Sequence, residues 1–335
     1  MKKFAVILAG GRGERFWPLS QPDFPKQFLN IFDNKPLLIQ TIQRIAGNFK
    51  RHERLLVIPK ELKKLTRKHV GRENIVLEPL RRNTAPAICL AAMTLRKRHG
   101  NGVMHVMPAD HLIRPRKTFL SALKYGQELA ENGYLVTYGI RPTRPETGYG
   151  YIRLGRKLGT LRHNVSYGGA GFTEKPNKAT AKRYVRSKRY LWNSGIFTFS
   201  IETMLEEIRH FVPAVHKGVE RFLARGKKRD FQNVPDISID YGVMEKSNRL
   251  CVVQGNFEWD DVGSWLALER YFSKDQKKNI LIGDARGIAI EDSIMCSRDI
   301  PLRAYDVEGL IIVVSNEGVL VCKKERAQDI KKLLK

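Results

Sequence analysis

The sequence predicts an α/β fold with a mostly parallel sheet, followed by a small β domain. Three observations carry that expectation. Short continuous apolar runs, such as FAVIL at 4–8 and LLVI at 55–58, mark strands buried on both faces. Segments with helical spacing separate those runs, which is the pattern of a parallel sheet with crossover helices. After residue 140 the texture changes to glycines and short strands. At 335 residues the chain is long enough for two domains.

The elements follow in order. The run at 4–8 is a strand. Residues 36–49 have helical spacing, with Leu37, Leu38, Thr41, Ile42 and Ile45 on one face. Strands at 55–58, 74–77, 102–107 and 135–138 alternate with helices at 61–70, 85–98 and 119–132. Glycines and short strands then dominate through residue 199. Helices return at 201–208 and 214–223. From 280 to 322 short strands recur between Gly283, Gly287, Gly309 and Gly318, which suggests the β domain. An amphipathic helix is expected at 325–334. Parallel sheets bind ligands beyond the carboxyl ends of their strands, so the loops after Leu8, Leu77 and Met107 are the places to search.

Composition excludes several classes. Apolar residues make up 42 % and charged residues 28 %, a globular balance. The start, MKK before an apolar run, imitates a signal peptide. The run is too short and breaks at Gly10-Gly11-Arg12-Gly13, so it reads as a buried strand. No apolar run approaches the roughly 20 residues of a membrane span, so no membrane partner is expected. Cys89, Cys251, Cys296 and Cys322 have no CxxC or zinc-like spacing. Free thiols fit a cytoplasmic protein. The net charge of +26 invites an anionic partner. That charge is spread widely, and no basic and aromatic stripe marks a nucleic-acid module, so nucleic acid is not the expected partner.

Leu8-Ala9-Gly10-Gly11-Arg12-Gly13-Glu14-Arg15 follows the first strand. Glycines bring backbone N–H groups close to phosphate oxygens, and Arg12, Arg15 and Lys26 add the charge a polyphosphate needs. Position 16 is Phe, so the third glycine of GxGxxG is absent, and no GxxxxGK[ST] occurs. On these residues alone a tight turn with surface arginines remains open. Asp110, after the fourth strand, and Asp261, in a Trp- and Gly-rich segment, are candidates for a divalent cation. Helix capping for Asp110 and a turn role for Asp261 are equally open on the residues alone.

Residues 8–29, LAGGRGERFWPLSQPDFPKQFL, resemble the signature of the sugar-phosphate nucleotidyltransferase family. WPLS at 17–20 and PKQF at 25–28 favour the branch that uses mannose 1-phosphate with GTP over the glucose-1-phosphate branches. The family usually has Thr where Glu14 stands. Further blocks match in order: EP at 78–79 with RNTAP at 82–86, PADH at 108–111, ETGYGYI at 146–152, FTEKP at 172–176, WNSG at 192–195, SIDYGVMEK at 238–246 and WDDVGSW at 259–265.

The resemblance implies a Rossmann-like catalytic domain over 1–270 and a C-terminal domain over 271–335, similar to a short left-handed β-helix. It implies transfer of GMP from GTP to α-D-mannose 1-phosphate with release of pyrophosphate. Mg²⁺ would be held by Asp110 and Asp261, with Asp260 the adjacent competitor. Arg15, Lys26 and Asp110 would be catalytic. Leu8, Ala9, Gly10, Gly11, Arg12, Gly13, Glu78, Thr84 and Ala85 would hold the nucleotide. In that role the Glu78 carboxylate would accept the two adjacent guanine donors in a fork. Tyr149, Gly150, Glu174, Lys175 and Asn193 would hold the sugar phosphate. His111 is expected to be structural, because a sugar phosphate needs no base. The family also implies a homodimer through the C-terminal part. Bifunctional relatives carry a further isomerase domain, and that activity is not expected here. The rival readings are the same chemistry on another pair (glucose 1-phosphate with UTP or dTTP), a nucleotide-sugar sensor without turnover, and a nucleic-acid-binding protein.

Overall fold

The computed structural model describes residues 1–334. The chain divides into two compact units, one of Met1–Gly10 and Thr41–Trp259, the other of Gly11–Gln40 and Asp260 onward.

The first unit is built on a nine-stranded sheet. In chain order its strands are β1 (Lys3–Leu8), β2 (Arg54–Pro59), β3 (Ile75–Glu78), β4 (Val103–Pro108), β6 (Leu135–Ile140), β7 (Tyr151–Leu161), β8 (Asn164–Thr173), β9 (Tyr190–Ser200) and β10 (Leu250–Gln254), while the short β5 (Leu112–Arg114) and β11 (Glu258–Asp260) pair with each other outside it. The sheet order is β3-β2-β1-β4-β9-β6-β10-β8-β7. Following the pairings across it, only β8 and β9 run against the others, so the sheet is mostly parallel as expected. β1 lies between β2 and β4, and Phe4 to Ile7 are at most 2 % exposed. That is why the run carries no polar residue.

The helices are α1 (Leu37–Ile45), α2 (Lys63–Val70), α3 (Thr84–His99), α4 (Arg116–Glu131), α5 (Lys178–Ser187), α6 (Ile201–Phe211), α7 (Pro213–Arg225) and α8 (Arg229–Gln232). α3 is buried along most of its length, from Ala85 to Leu95. It lies on β1, β2 and β3 and is covered in turn by α6 and α7, which explains its apolar composition on every face. Asn83, at φ 66°, turns the chain into α3 and accepts a hydrogen bond from the Thr84 N–H at 3.0 Å. Among the described residues no helix is long and apolar enough to cross a membrane. All four cysteines are free, three of them buried.

The second unit contains β12 (Ile280–Glu291), β13 (Ile294–Glu308), β14 (Leu310–Ser315) and β15 (Gly318–Lys323). The sequence predicts short strands here, whereas β12 and β13 are long. They pair in parallel although only Asp292 and Ser293 separate them. A flat parallel pair needs a crossover of a dozen residues or more. The strands therefore bend, and each supplies successive faces of a coil. Ile294 pairs with Ile311, 17 residues on, and Glu291 pairs with Glu308 at the same spacing. Left-handed corners recur at that interval too: Ala289 and Asp306, then Asp292 and Gly309. Ala285, Ile290, Met295, Leu302, Ile312 and Val314 fill the interior. Inside the corner, the Asn279 side chain donates to the Ile290 carbonyl at 2.9 Å and accepts from the Ser293 N–H at 3.0 Å.

The expected terminal helix is a run of 3-10 turns over Lys324–Leu334. Ala327 and Ile330 are its buried residues, three apart as three residues per turn requires.

Gly283 has φ 74°, and a Cβ there would fall on the Ser297 carbonyl oxygen of the neighbouring coil. Gly283→Ala is expected to destabilise the protein by about 2 kcal/mol or more. Urea unfolding followed by circular dichroism checks this, and an unchanged midpoint would refute the coil geometry.

Candidate active site

In the first unit the strand ends gather the chemistry. Ala9 donates to the Val57 carbonyl at 2.9 Å, and the Leu8 carbonyl accepts from Ala109 at 3.0 Å. β1 thus hands the chain to Gly10 with its edges already paired. Glu78 ends β3 and is 5 % exposed. A Cβ on Gly10 would lie 3.4 Å from Glu78 Oε2, so the carboxylate packs against the start of the glycine loop. Arg81 donates to the Gly10 carbonyl at 3.0 Å and pairs with Glu61 at 2.9 Å. Glu78 Oε1 is buried with no hydrogen-bond partner. A buried orphan acceptor is costly unless something fills it. Burial lifts this carboxyl to about 7, against the pull of Arg81 and with a push from Glu61.

The mouth of α3 is already spoken for. The Thr84 N–H goes to Asn83, the Thr84 hydroxyl accepts from Ile239 at 2.8 Å, and the Ala85 N–H donates to the Ile237 carbonyl at 3.1 Å. Those groups fix the shape of the loop and are spent within the chain.

Asp110 follows β4, with its side chain about a quarter exposed. The segment is clamped by α1: Thr41 donates to the Ala109 carbonyl at 3.1 Å, and Arg44 donates to the His111 carbonyl at 3.2 Å. Burial, reinforced by Arg114, pushes Arg44 down to about 10, so it stays charged at neutral pH. Trp259 Nε1–H donates to His111 Nδ1 at 3.1 Å. The bond makes Nδ1 an acceptor and puts the neutral ring's proton on Nε2, which lies 4.0 Å from Asp110 Oδ1. His111 is thus held by Trp259 beside Asp110.

The sugar-type residues form a second group. Tyr149 packs edge-on against Trp192 and Trp259, and the Arg144 guanidinium lies 5.1 Å from the Trp192 ring centre. Glu174 packs against Gly150 so closely that a Cβ there would meet its carboxylate. Lys175, at φ 48°, pairs with Glu174 at 2.9 Å and keeps most of its side chain in solvent. Asn193 Oδ1 accepts from the Thr137 hydroxyl at 2.8 Å, and its Nδ2 donates to Asp240 at 2.8 Å. Burial, then the nearby Glu174 charge, raises the Asp240 carboxyl to about 7.

In the second unit, Gly13 has φ 65° and no room for a Cβ, which would strike Lys26. Gly11 has open space, so among the loop glycines of this unit packing demands only Gly13. Arg12 is exposed and pairs with Glu14 at 3.4 Å. Lys26 is 6 % exposed, and its ammonium donates to the Asp261 carbonyl at 2.6 Å and the Val262 carbonyl at 3.1 Å. Arg15 Nη1 reaches the Gly263 carbonyl at 3.5 Å, while its Nε is a buried donor without a partner. Asp260 is 3 % exposed, takes both ends of the Arg270 guanidinium and accepts the Val262 N–H at 2.7 Å. Its oxygens are consumed. Among the described residues no three His, Cys, Asp or Glu side chains converge as a metal cluster.

Residues 4–278 match the nucleotidyl transferase family, and residues 291–335 match the MannoseP isomerase/GMP-like beta-helix domain. The mannose-1-phosphate guanylyltransferase of Klebsiella pneumoniae is 39 % identical over 98 % of this chain and 72 % of its own length. That of Salmonella typhimurium is 38 % identical over 100 % of this chain and 72 % of its own. The chain belongs to the mannose-1-phosphate guanylyltransferases of the nucleotidyl transferase family. A crystal structure described as mannose-1-phosphate geranyltransferase from Thermus thermophilus superposes with a TM-score of 0.91 at 40 % identity, covering 100 % of this chain and 98 % of that one. The beta-helix match agrees with the 17-residue coil. As a nucleotidyltransferase the protein belongs to enzymes that generally use a divalent metal.

Sequence reasoning missed Asp240, Arg144, Arg44 and Arg270. Asp240 lay inside a matched block, yet nothing in the chain order brings it to Asn193. The arginines were indistinguishable from many others in so basic a chain.

Two expectations follow. Folded Glu78 keeps its proton up to about pH 7, whereas the unfolded chain releases it near 4.5. Its burden is absent below that lower value and grows as pH rises to 7, reaching about 3 kcal/mol. Glu78→Gln should match the parent's stability at pH 4 and exceed it at pH 8. Equal urea midpoints at pH 8 would contradict the buried, orphaned carboxylate. Arg270→Ala leaves Asp260 buried beside one N–H, and a loss of about 3 kcal/mol is expected in thermal or urea unfolding.

Proposed function

We propose that the protein transfers GMP from GTP to α-D-mannose 1-phosphate, releasing pyrophosphate. The observation that carries the nucleotide choice is Glu78: a buried carboxylate with an unfilled oxygen, set against Gly10 at the end of a parallel strand. Guanine presents a ring N–H beside an exocyclic amine, and a carboxylate accepts both. Adenine presents no such pair of donors.

A sugar-phosphate oxygen attacks the α-phosphorus in line, and the bond to the leaving pyrophosphate breaks. The attacking oxygen carries no proton at neutral pH, so no general base is required. Catalysis is then placement and charge neutralisation. The Gly10 to Gly13 loop, with Leu8 and Ala9 leading in, holds the phosphates. Arg15, with its orphaned Nε, Arg12 and Lys26 supply positive charge toward the leaving group. Thr84 and Ala85 shape the wall beside the base. Asp110 and Asp261 are hard oxygen donors of the kind Mg²⁺ takes, one or two at a time, and we assign the ion to them. When bound, it supplies Lewis-acid neutralisation of phosphate charge.

Gly150, Glu174 and Asn193 would face the hexose, with Tyr149 as the apolar wall and Lys175 on its phosphate. Asn193 has its oxygen and one N–H committed, which leaves a single donor for a hydroxyl. Asp240 holds its proton near neutrality, so it serves a hydroxyl either as donor or as acceptor. We assign residues 1–270 to catalysis and 271–335 to the β domain, a cytoplasmic setting, and a homodimer through the C-terminal part.

The test is pyrophosphate release with Mg²⁺ across four nucleoside triphosphates and the 1-phosphates of mannose, glucose and galactose. A maximum at GTP with mannose 1-phosphate is expected. A maximum at UTP or dTTP with glucose 1-phosphate would discard the Glu78 and Glu174 assignments. Asp110→Asn should lower turnover at least ~100-fold with an unchanged circular dichroism spectrum. Parent rates in that variant would remove Asp110 from the site.

A further inference from the structure

β6 is buried at every position and lies between β9 and β10. Within it Thr137 is 0 % exposed and pairs with Val252 on one side and Phe197 on the other. Valine would fill such a place in a sheet as well as threonine does. The hydroxyl is the part of this side chain that needs a partner. Its oxygen lies 2.8 Å from Asn193 Oδ1 and 3.2 Å from the Ile196 carbonyl.

Both acceptors flank an irregularity in the pairing of β9. Thr137 pairs with Phe197 and Gly139 with Asn193, so three residues of β9, Ser194 to Ile196, face the single Tyr138 of β6. This bulge is turned by Gly195 at φ 67°. Bulges re-aim side chains next to functional sites. Asn193 stands at its lip, and the Asn193 backbone N–H donates to the Gly150 carbonyl at 2.8 Å. The orientation of the Asn193 amide is set from both sides. The Gly195 N–H, which can only donate, reaches Oδ1 at 3.3 Å, and Asp240 accepts from Nδ2 at 2.8 Å. With Oδ1 so placed, the Thr137 hydroxyl must aim its proton at it, because two oxygens 2.8 Å apart with no proton between them repel. Thr137, Gly195 and Asp240 together fix where the remaining Nδ2–H points.

We propose, resting on the reading of Asn193 as a hexose contact, that Thr137 is a positioning residue for the sugar phosphate. Too buried to touch a ligand, it holds the Asn193 amide so that the remaining N–H meets a hexose hydroxyl. The test is steady-state pyrophosphate release by the parent, Thr137→Val, Thr137→Ser, Asn193→Ala and the Thr137→Val/Asn193→Ala double variant, each checked for folding by circular dichroism. Thr137→Val should raise the KM for mannose 1-phosphate about fivefold or more and leave the KM for GTP within about twofold of the parent's. Thr137→Ser keeps the donor and should hold both KM values within about twofold of the parent's. In the Asn193→Ala background, Thr137→Val should change the KM for mannose 1-phosphate by less than about twofold, because the group it acts through is gone. Thr137→Ala carries the same expectations should the valine variant not fold. A parent KM for mannose 1-phosphate in Thr137→Val, beside a raised one in Asn193→Ala, overturns the role of Thr137 and leaves Asn193 in the site. A parent KM in Asn193→Ala removes Asn193 from the site and the proposal with it. An equal rise in both KM values, or a full Thr137→Val effect on top of Asn193→Ala, marks a merely structural threonine and also overturns the proposal.

Discussion

The parallel pairing of β1 with β2 on one side and β4 on the other governs the first unit. Parallel neighbours cannot be joined by hairpins, so each strand must be returned to its starting edge by a crossover. α1, α2 and α3 are those returns, and their cost in apolar surface explains why α3 has no polar face. The same constraint lines up the carboxyl ends. Leu8, Glu78 and Pro108 close three strands whose register is fixed residue by residue, with Leu8 opposite Val57 and Pro108. The groups just beyond, Gly10 and Asp110, inherit that precision through the bond from Ala109 to Leu8.

In the second unit the comparable constraint is the repeat of the coil. Parallel stacking at 17 residues puts like positions above one another, so corners must recur where the backbone turns left-handed. Two of those corners are Asp and one is Ala, residue types that accept such a turn at some cost. The polar ladder through Asn279 and Ser293 satisfies backbone groups that the bend would otherwise leave open.

Much of this was legible in the chain. FAVIL and LLVI declare themselves as buried strands because a doubly covered strand has no alternation to hide. The motif at 8–29 and its companion blocks identify the family. What stayed illegible was anything decided by partners distant in sequence. Asp260 and Asp261 are the same residue type side by side, and only Arg270 and the Val262 N–H distinguish them. Lys26 was marked in sequence as a charge for phosphate, but nothing in the chain order shows that it is buried on the Asp261 and Val262 carbonyls. Asp240 meets Asn193 across 47 positions. The long bent strands read as several short ones because glycine punctuation marks a corner in a coil and a turn in a hairpin alike.

The turn that presents Asp261 is under strain. Val262 has φ 50° and is fully buried, in a region that a β-branched residue rarely enters. Such a conformation costs about 1–3 kcal/mol and persists only where its surroundings leave no alternative. Here they are identifiable. Asp260 fixes the Val262 N–H, and Lys26 fixes the Asp261 and Val262 carbonyls. Glycine at 262 would relieve the φ, but it would also remove a side chain packed at 0 % exposure and free the turn to relax. Valine therefore suits a turn held in one shape by charge-assisted bonds on both sides. The strain, the buried lysine and the Asp260–Arg270 pair are parts of one arrangement that holds the backbone of this turn in a single shape.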